Sequence, residues 1–146
     1  MSECELLPWN QDKFDKLSEL EASQQLGHAY LIQGQKGLGK ERLAKDFSAY
    51  LFCQKPEKLT ACGDCPACHL FSAGTHPDFK YIALEESSSQ IKIDQVRDSR
   101  TFLANTPLMG KYKILLVYSA EKMNINAANA LLKNLEEPAP GTLLFL

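Results

Sequence analysis

The sequence predicts a three-layer α/β domain in which helices cover a parallel β-sheet. Three observations support this fold class. Short apolar runs alternate along the 146 residues with stretches in which apolar residues recur at helical spacing. A glycine-rich loop lies between the first apolar run and the helix that follows it. Four closely spaced cysteines form an insert, and in a reducing compartment such a cluster predicts a bound metal.

The predicted elements follow one another in a regular order. The first helix has Phe14 and Leu17 on its apolar face and ends near Gly27. The run from Ile114 to Val117 is apolar at every position, as expected of a parallel strand covered on both faces. Pro138 ends the last helix, because proline cannot continue the helical hydrogen bonds. The predicted strands are 28–32, 79–84, 114–117 and 142–146, and the predicted helices are 14–26, 40–51, 93–104 and 126–137.

The glycine-rich loop has the sequence GQKGLGK. Its spacing is typical of phosphate-binding loops, in which glycines let backbone N–H groups converge on phosphate oxygens. The N-terminus of the following helix adds partial positive charge, and a lysine reaches the terminal phosphates. The candidate phosphate-binding residues are Gly34, Gly37, Gly39 and Lys40. They indicate descent from a P-loop ATPase, and the alternative is an ordinary glycine-rich turn.

The groups that handle Mg²⁺ in such an ATPase are missing. Glu41 occupies the position of the serine or threonine whose hydroxyl binds the metal. A carboxylate close to a triphosphate adds repulsion of about 1–4 kcal/mol. The central strand leads into Tyr118 and Ser119, where an Asp-Glu pair is expected, and Glu121 follows two residues later. We therefore expect no ATP hydrolysis, no catalytic residue and at most weak binding of ATP.

The four cysteines of the insert have the spacing C-x8-C-x2-C-x2-C and are Cys53, Cys62, Cys65 and Cys68. Thiolates at such spacing can converge on one tetrahedral Zn²⁺, with Zn–S distances of about 2.3 Å. A site with four cysteine ligands has no open position, so we expect a structural rather than a catalytic zinc. Redox dithiols and free buried cysteines are the alternatives. We expect His69 to be a neighbour of the site and Cys4 to be a free thiol.

Composition and charge narrow the class of protein. Hydrophobic residues are 45% of the sequence and charged residues 23%, which is ordinary for a globular domain. No apolar run approaches the roughly 20 residues that span a membrane, and the N-terminus does not resemble a signal peptide. We expect a cytoplasmic protein without a membrane partner. The formal charge of −2 argues against strong autonomous DNA binding. The final run TLLFL indicates a buried strand, so we expect the chain to be part of a longer protein.

Four features together resemble the AAA+ clamp-loader subunits of bacterial DNA polymerase III over nearly the whole chain. They are the phosphate loop, the cysteine insert, the string GTHPDF and the string NALLKNLEEP. Members of the gamma/tau motor branch have Lys-Thr in the loop and Asp-Glu after the strand. This sequence departs from both and is similar instead to the N-terminal part of the delta-prime branch. The resemblance implies one AAA+ ATPase-like domain at residues 1–146 with a zinc insert at 53–68, and a lid and a C-terminal collar that this chain lacks.

The resemblance also implies a function. It implies a non-catalytic stator subunit of the polymerase holoenzyme, a nucleotidyltransferase, that helps to load the sliding clamp onto primed DNA. The implied partners are gamma/tau motor subunits and the delta subunit, with indirect contact to the clamp and the primed DNA. Two alternatives stand beside it. The first is an ATP-hydrolysing gamma/tau-type motor subunit, which Glu41, Tyr118 and Ser119 disfavour. The second is a zinc-ribbon module that binds nucleic acid, which the few basic and aromatic residues near the cysteines disfavour.

Overall fold

The computed structural model describes residues 8–35, 37–58 and 60–146, and the predicted free thiol Cys4 lies outside them. Its helices and strands are α1 Gln11–Ala22, β1 Ala29–Tyr30, α2 Lys40–Phe52, α3 Pro66–Ser72, β2 Phe79–Ile82, α4 Ile93–Ala104, β3 Lys113–Val117, α5 Ile125–Glu136 and β4 Thr142–Phe145. Within the described ranges, no helix has both the length and the apolar character needed to cross a bilayer.

The chain forms two compact units. The first extends to Gly27 and continues over Ile32–His76, and the second contains His28–Leu31 and Pro77–Leu146. The first unit therefore holds α1, the glycine-rich loop, α2 and α3. The second holds all four strands together with α4 and α5.

The sheet of the second unit is parallel throughout, which confirms the predicted α/β class. The strand order is β1-β4-β3-β2, and Ile114 of β3 lies between Phe79 of β2 and Leu143 of β4. Every residue of β3 and β4 is buried, so both faces of these central strands are covered. Helices α4 and α5 pack on each other, and α4 packs on β2 and β3. The core of this unit includes Ile82, Ile91, Val96, Leu103, Leu115, Val117, Ala127, Leu131 and Leu144.

The first unit has an aromatic core between α1 and α2. Phe14 of α1 makes edge-to-face contacts with Phe47 and Tyr50 of α2, with ring centroids 5.5 and 5.6 Å apart. Both Phe14 and Phe47 are buried. Rings at this distance and angle contribute beyond the apolar area that they bury, so this cluster fixes α1 against α2.

The largest differences from the sequence prediction lie in α1, β1 and α3. Helix α1 ends at Ala22 rather than near Gly27, because Gln24 adopts a left-handed conformation with φ of 60° that terminates the helix. Strand β1 has only two residues, and Leu31, predicted to belong to it, is 65% exposed. Helix α3 is additional, because the sequence predicted a cysteine-rich insert at 53–68 and no helix there.

Candidate metal centre and phosphate loop

The four predicted metal ligands come together between α2 and α3. Cys53 caps the C-terminus of α2, Cys62 and Cys65 lie in the connecting segment, and Cys68 is in the first turn of α3. Their Sγ atoms all lie within 4.8 Å of one another, and those of Cys62 and Cys68 are 3.9 Å apart. A tetrahedral zinc with Zn–S bonds of about 2.3 Å holds its sulfurs about 3.8 Å apart. The four cysteines can therefore hold one metal ion.

Local sequence features explain this convergence. Glu57 and Thr60 exchange two backbone hydrogen bonds of 2.9 and 2.8 Å, which turns the chain back toward Cys53. Gly63 has φ of 76°, a conformation that glycine adopts without strain. Pro66 then begins α3, where its missing N–H costs no helical hydrogen bond. Cys65 is the N-cap of this helix, and its Sγ accepts a hydrogen bond of 3.5 Å from the N–H of Cys68.

Backbone N–H groups surround the sulfurs. The Sγ of Cys53 accepts from Lys55 and Cys62 at 3.4 and 3.2 Å. The Sγ of Cys62 accepts from Asp64 and Cys65 at 3.4 and 3.3 Å. These donors stabilise negative charge on sulfur. The insert is thus folded to accommodate thiolates.

Burial and hydrogen bonding act in opposite directions on the thiol pKa values. Burial raises the pKa of Cys65, but hydrogen bonds from the N–H groups of Gln54 and Cys68 and from the thiols of Cys68 and Cys62 together lower this pKa to about 6. Burial raises the pKa of Cys53 and of Cys68 above the ordinary thiol value. The folded state therefore favours the thiolate of Cys65, whereas Cys53 and Cys68 would lose their protons when a cation binds.

An aromatic cluster fixes the insert to α2. Phe52 directly precedes Cys53 and is buried. Its ring stacks on His76 with centroids 4.0 Å apart and lies 5.9 Å from the ring of Phe71 in α3. This packing therefore holds together α3, which carries Cys68, and α2, which Cys53 caps.

His69 lies beside the cluster without belonging to it. Its side chain is 66% exposed, and its Nε2 lies 4.0 Å from Oδ1 of Asp64. The compact group of potential ligands in the described residues contains the four cysteines and not this histidine.

Two glycines of the glycine-rich loop have positive φ angles. Gly37 and Gly39 have φ of 91° and 77°, in the left-handed region that favours glycine. Gly39 is the N-cap of α2, which begins at Lys40. A Cβ on Gly34 would meet Leu38 at an ordinary 3.5 Å, so sterics alone do not require glycine there. The loop thus opens a helix, as a phosphate loop does.

The side chains at the metal-handling positions differ from those of an ATPase. Glu41 lies in the first turn of α2, and its Oε1 is 2.7 Å from Nζ of Lys45 in an i,i+4 pair. In the second unit, β3 ends at Val117, and Ser119 has φ of 59° before a short 3₁₀ turn. Glu121 is exposed in that turn.

A basic groove between α4 and α5 was not identified from the sequence. It has a volume of about 250 Å³ and is lined by Ile93, Arg97, Arg100, Asn126, Asn129, Ala130 and Lys133. Its three cations are exposed, and Arg97 also lies 3.8 Å from Asp94. The i,i+3 spacing of Arg97 and Arg100 was the only sequence signal, because Lys133 comes from a different helix.

Asp78 of the GTHPDF string has a structural role. Its carboxylate is fully buried and accepts hydrogen bonds from the N–H groups of Leu108 and Met109, each 2.8 Å long. It therefore fixes the segment that leads into β3. A buried carboxylate is stable there because its charge is hydrogen-bonded.

Comparison with known proteins places these features in a family. The family model described as DNA polymerase III, delta subunit, matches residues 9–146. DNA polymerase III subunit delta' of Pseudomonas aeruginosa is 46% identical over 143 residues, which cover 98% of this chain and 43% of that protein. The Escherichia coli subunit delta' is 41% identical over 142 residues, covering 95% of this chain and 42% of that protein. The chain thus spans about two fifths of the length of these relatives.

Two further comparisons concern the gamma branch. The tau/gamma subunit of Haemophilus influenzae is 33% identical over 113 residues, covering 77% of this chain and 16% of that protein. The crystal structure of a DNA polymerase III gamma subunit-related protein from Thermotoga maritima superposes with a TM-score of 0.64 at 24% identity. This match covers 90% of this chain and 38% of that one, and it supports the predicted P-loop fold.

Proposed function

The chain belongs to the DNA polymerase III delta' subunit family, and from this membership we propose that it acts as a non-catalytic, ATPase-like stator in a clamp loader. The observation that carries the proposal is the loss of metal-handling side chains at both positions where an ATPase needs them. The loop has Glu41 instead of a hydroxyl, and β3 is followed by Tyr118 and Ser119 instead of two carboxylates.

The position of Glu41 strengthens this interpretation. Its carboxylate adds negative charge in the first turn of α2, where a phosphate would otherwise be favoured. Lys45, whose Nζ lies 2.7 Å from this carboxylate, offsets part of that charge. Repulsion of about 1–4 kcal/mol against a triphosphate corresponds to a loss of affinity between about fivefold and a thousandfold. We propose that Gly34, Gly37, Gly39 and Lys40 form a vestigial loop that binds Mg-ATP weakly and does not support hydrolysis.

A phosphate-release assay tests the absence of hydrolysis. The protein with Mg-ATP should give the same background rate as Lys40→Ala, because that lysine has no hydrolytic reaction to support. Sustained hydrolysis that disappears in Lys40→Ala would overturn the proposal in favour of a motor subunit.

We further propose that Cys53, Cys62, Cys65 and Cys68 bind one structural Zn²⁺. The convergence of four sulfurs within 4.8 Å of one another and their N–H donors support zinc among the metals that thiolates bind. Four thiolates leave no position for a substrate, so the ion would stabilise the insert at residues 53–68 rather than catalyse a reaction. Elemental analysis should find one zinc per chain.

The proposed partners are the gamma/tau and delta subunits, and through them the sliding clamp and primed DNA. We propose that residues 1–146 form one ATPase-like domain of the subunit. Because this domain has no hydrolytic cycle, it would present the same surface to its neighbours throughout clamp loading. Reconstitution of clamp loading with and without this subunit tests that role.

The basic groove favours a second, compatible role in contacting the DNA backbone. Arg97, Arg100 and Lys133 lie around one open depression beside the amides of Asn126 and Asn129. Cations and amide donors together are typical of phosphate contacts. Three cations on a chain of net charge −2 supply local contacts rather than autonomous binding.

Salt dependence in the assembled clamp loader tests this role. Replacing Arg97, Arg100 and Lys133 by Gln should weaken binding to a labelled primed duplex. It should also reduce the slope of log K against log salt by about one for each phosphate that a side chain no longer neutralises. Lys111→Gln, an exposed lysine outside the groove, is the matched control. An unchanged slope would remove the groove from the DNA interface.

A further inference from the structure

Two residues that precede α1 are hydrogen-bonded to the phosphate loop. The indole Nε1 of Trp9 donates to the carbonyl of Leu38 at 2.7 Å. The amide Nδ2 of Asn10 donates to the carbonyls of Leu38 and Gly39 at 3.4 and 3.3 Å. The acceptors belong to the last two residues before α2, which begins at Lys40.

These contacts fix the direction of loop N–H groups because a trans peptide is planar. The carbonyl of Leu38 shares a peptide plane with the N–H of Gly39 and points the opposite way. The carbonyl of Gly39 is related in the same way to the N–H of Lys40. Hydrogen bonds that fix the two carbonyls on one side of the loop therefore point the N–H groups of Gly39 and Lys40 toward the opposite side. In a phosphate loop, such amides line the phosphate cradle.

The exposure of the two donors is consistent with this role. Trp9 is 55% exposed, and its N–H makes a short hydrogen bond to the loop. Asn10 is only 5% exposed, and both of its contacts to the loop come from one buried amide. A buried amide is stable only when hydrogen-bonded. The loop carbonyls thus accept the hydrogen bonds that the buried amide of Asn10 requires, and the same hydrogen bonds restrain the loop.

We propose that Trp9 and Asn10 form an internal latch that keeps the phosphate loop in its phosphate-binding conformation without nucleotide. Gly37 and Gly39 make the loop costly to order, because glycine loses the most backbone freedom on folding. In a nucleotide-binding protein, phosphate contacts can offset this cost. The inference rests on the proposed function in one respect: a subunit that does not use ATP needs another source of order. The hydrogen bonds of the latch and the carboxylate of Glu41 at the start of α2 order the loop in place of a bound phosphate.

Amide hydrogen exchange on the nucleotide-free protein tests the latch. The reporter is the N–H of Leu43, which donates to the carbonyl of Gly39 at 2.9 Å and so closes the first turn of α2. Trp9→Phe keeps an aromatic ring but removes the donor, and Asn10→Asp replaces the donor by a second acceptor. Loss of one neutral hydrogen bond should speed exchange at Leu43 about fivefold, and Asn10→Asp should do so more strongly. Gln11→Ala is the matched control, because its amide bonds to Asp15 within α1.

Order parameters of Gly37 and Gly39 give a second measurement. We expect values near about 0.85 in the wild type, falling toward about 0.6 in the Trp9→Phe, Asn10→Asp double variant. Amides of β3 and β4 serve as an internal control for global unfolding. If Asn10→Asp does not fold, Trp9→Phe alone decides the question, because half of that side chain is already exposed.

Two results would overturn the latch. One is unchanged exchange at Leu43 and unchanged order at the glycines in Trp9→Phe. The other is a uniform increase across α1 and α2, which would mean that the contacts only hold the helices together. Neither result depends on ATP hydrolysis, so failure of the latch is distinct from failure of the proposed function.

Discussion

The phosphate loop and the cysteine cluster lie at opposite ends of the same helix, and they have diverged differently from what their motifs require. The cluster at the end of α2 keeps all four sulfurs within 4.8 Å. The loop at its start keeps the left-handed glycines but has lost the hydroxyl that would bind Mg²⁺. Backbone conformation can therefore persist where the chemistry of the side chains has gone.

The difference has a thermodynamic reason. Metal bound by the four thiolates would contribute its binding energy to folding, so each ligand would be needed for stability. Groups that act in ATP hydrolysis contribute to a transition state and not to the folded state, so replacing them leaves the fold intact. We therefore expect large effects on stability at the cysteine cluster and small ones at the phosphate loop.

The largest effect is expected when a ligand is removed. Cys68→Ser should lower the free energy of unfolding by on the order of 3–5 kcal/mol and abolish bound zinc. Thermal unfolding and elemental analysis measure the two quantities. His69→Ala, next to the ligand but outside the cluster, should change neither. If the metal-free variant keeps full stability, metal binding by the cysteine cluster does not contribute to folding.

A smaller effect is expected when the packing beneath the cluster is removed and the ligands are kept. Phe52→Leu loses the stacking on His76 at 4.0 Å. It should cost about 1–3 kcal/mol while one metal ion still binds. Denaturant unfolding with and without a chelator separates the contribution of aromatic packing from that of metal binding. If metal binding also disappeared, the geometry of the cluster would depend on this ring.

A weaker effect concerns pH in the metal-free protein. Because the folded state lowers the pKa of Cys65 to about 6, the unfolded chain binds more protons at this site up to the ordinary thiol pKa. The contribution of Cys65 to stability should therefore rise from about pH 6 toward pH 9, and be lost as pH falls through about 6. Cys65→Ser should remove this contribution to the slope of unfolding free energy against pH. An unchanged slope would mean that the N–H donors do not stabilise the thiolate.

The smallest effect is expected at the phosphate loop. Glu41→Thr removes an i,i+4 pair with Lys45, in which the two side chains are 30% and 42% exposed, so the change in stability should stay below about 1 kcal/mol. The variant should still not hydrolyse ATP, because Tyr118 and Ser119 supply no carboxylate. Lys45→Ala is the control for loss of the pair alone. Hydrolysis by Glu41→Thr would show that one substitution separates the loop from a working ATPase.

The sequence predicted the elements whose signals are local. The uninterrupted apolar run of β3, the proline after α5 and the spacing of loop glycines each act within a few residues, and the structure has those elements near the predicted bounds. The cysteine spacing predicted the convergence of four sulfurs correctly. Helix α3 was missed although Pro66 marks its start, because its seven residues are too few for apolar periodicity to indicate a helix.

The sequence by itself thus determined the α/β class, the family and the cysteine cluster, since these depend on periodicity and on spacing along the chain. Only the tertiary structure showed that Arg97 and Lys133 line one groove. It also showed the hydrogen bonds from the N–H of Leu108 to Asp78 and from the indole of Trp9 to the carbonyl of Leu38. The residues that meet at these sites are 29 to 36 positions apart, a separation at which sequence periodicity carries no information about contact. Packing of helices and strands decides which distant side chains meet.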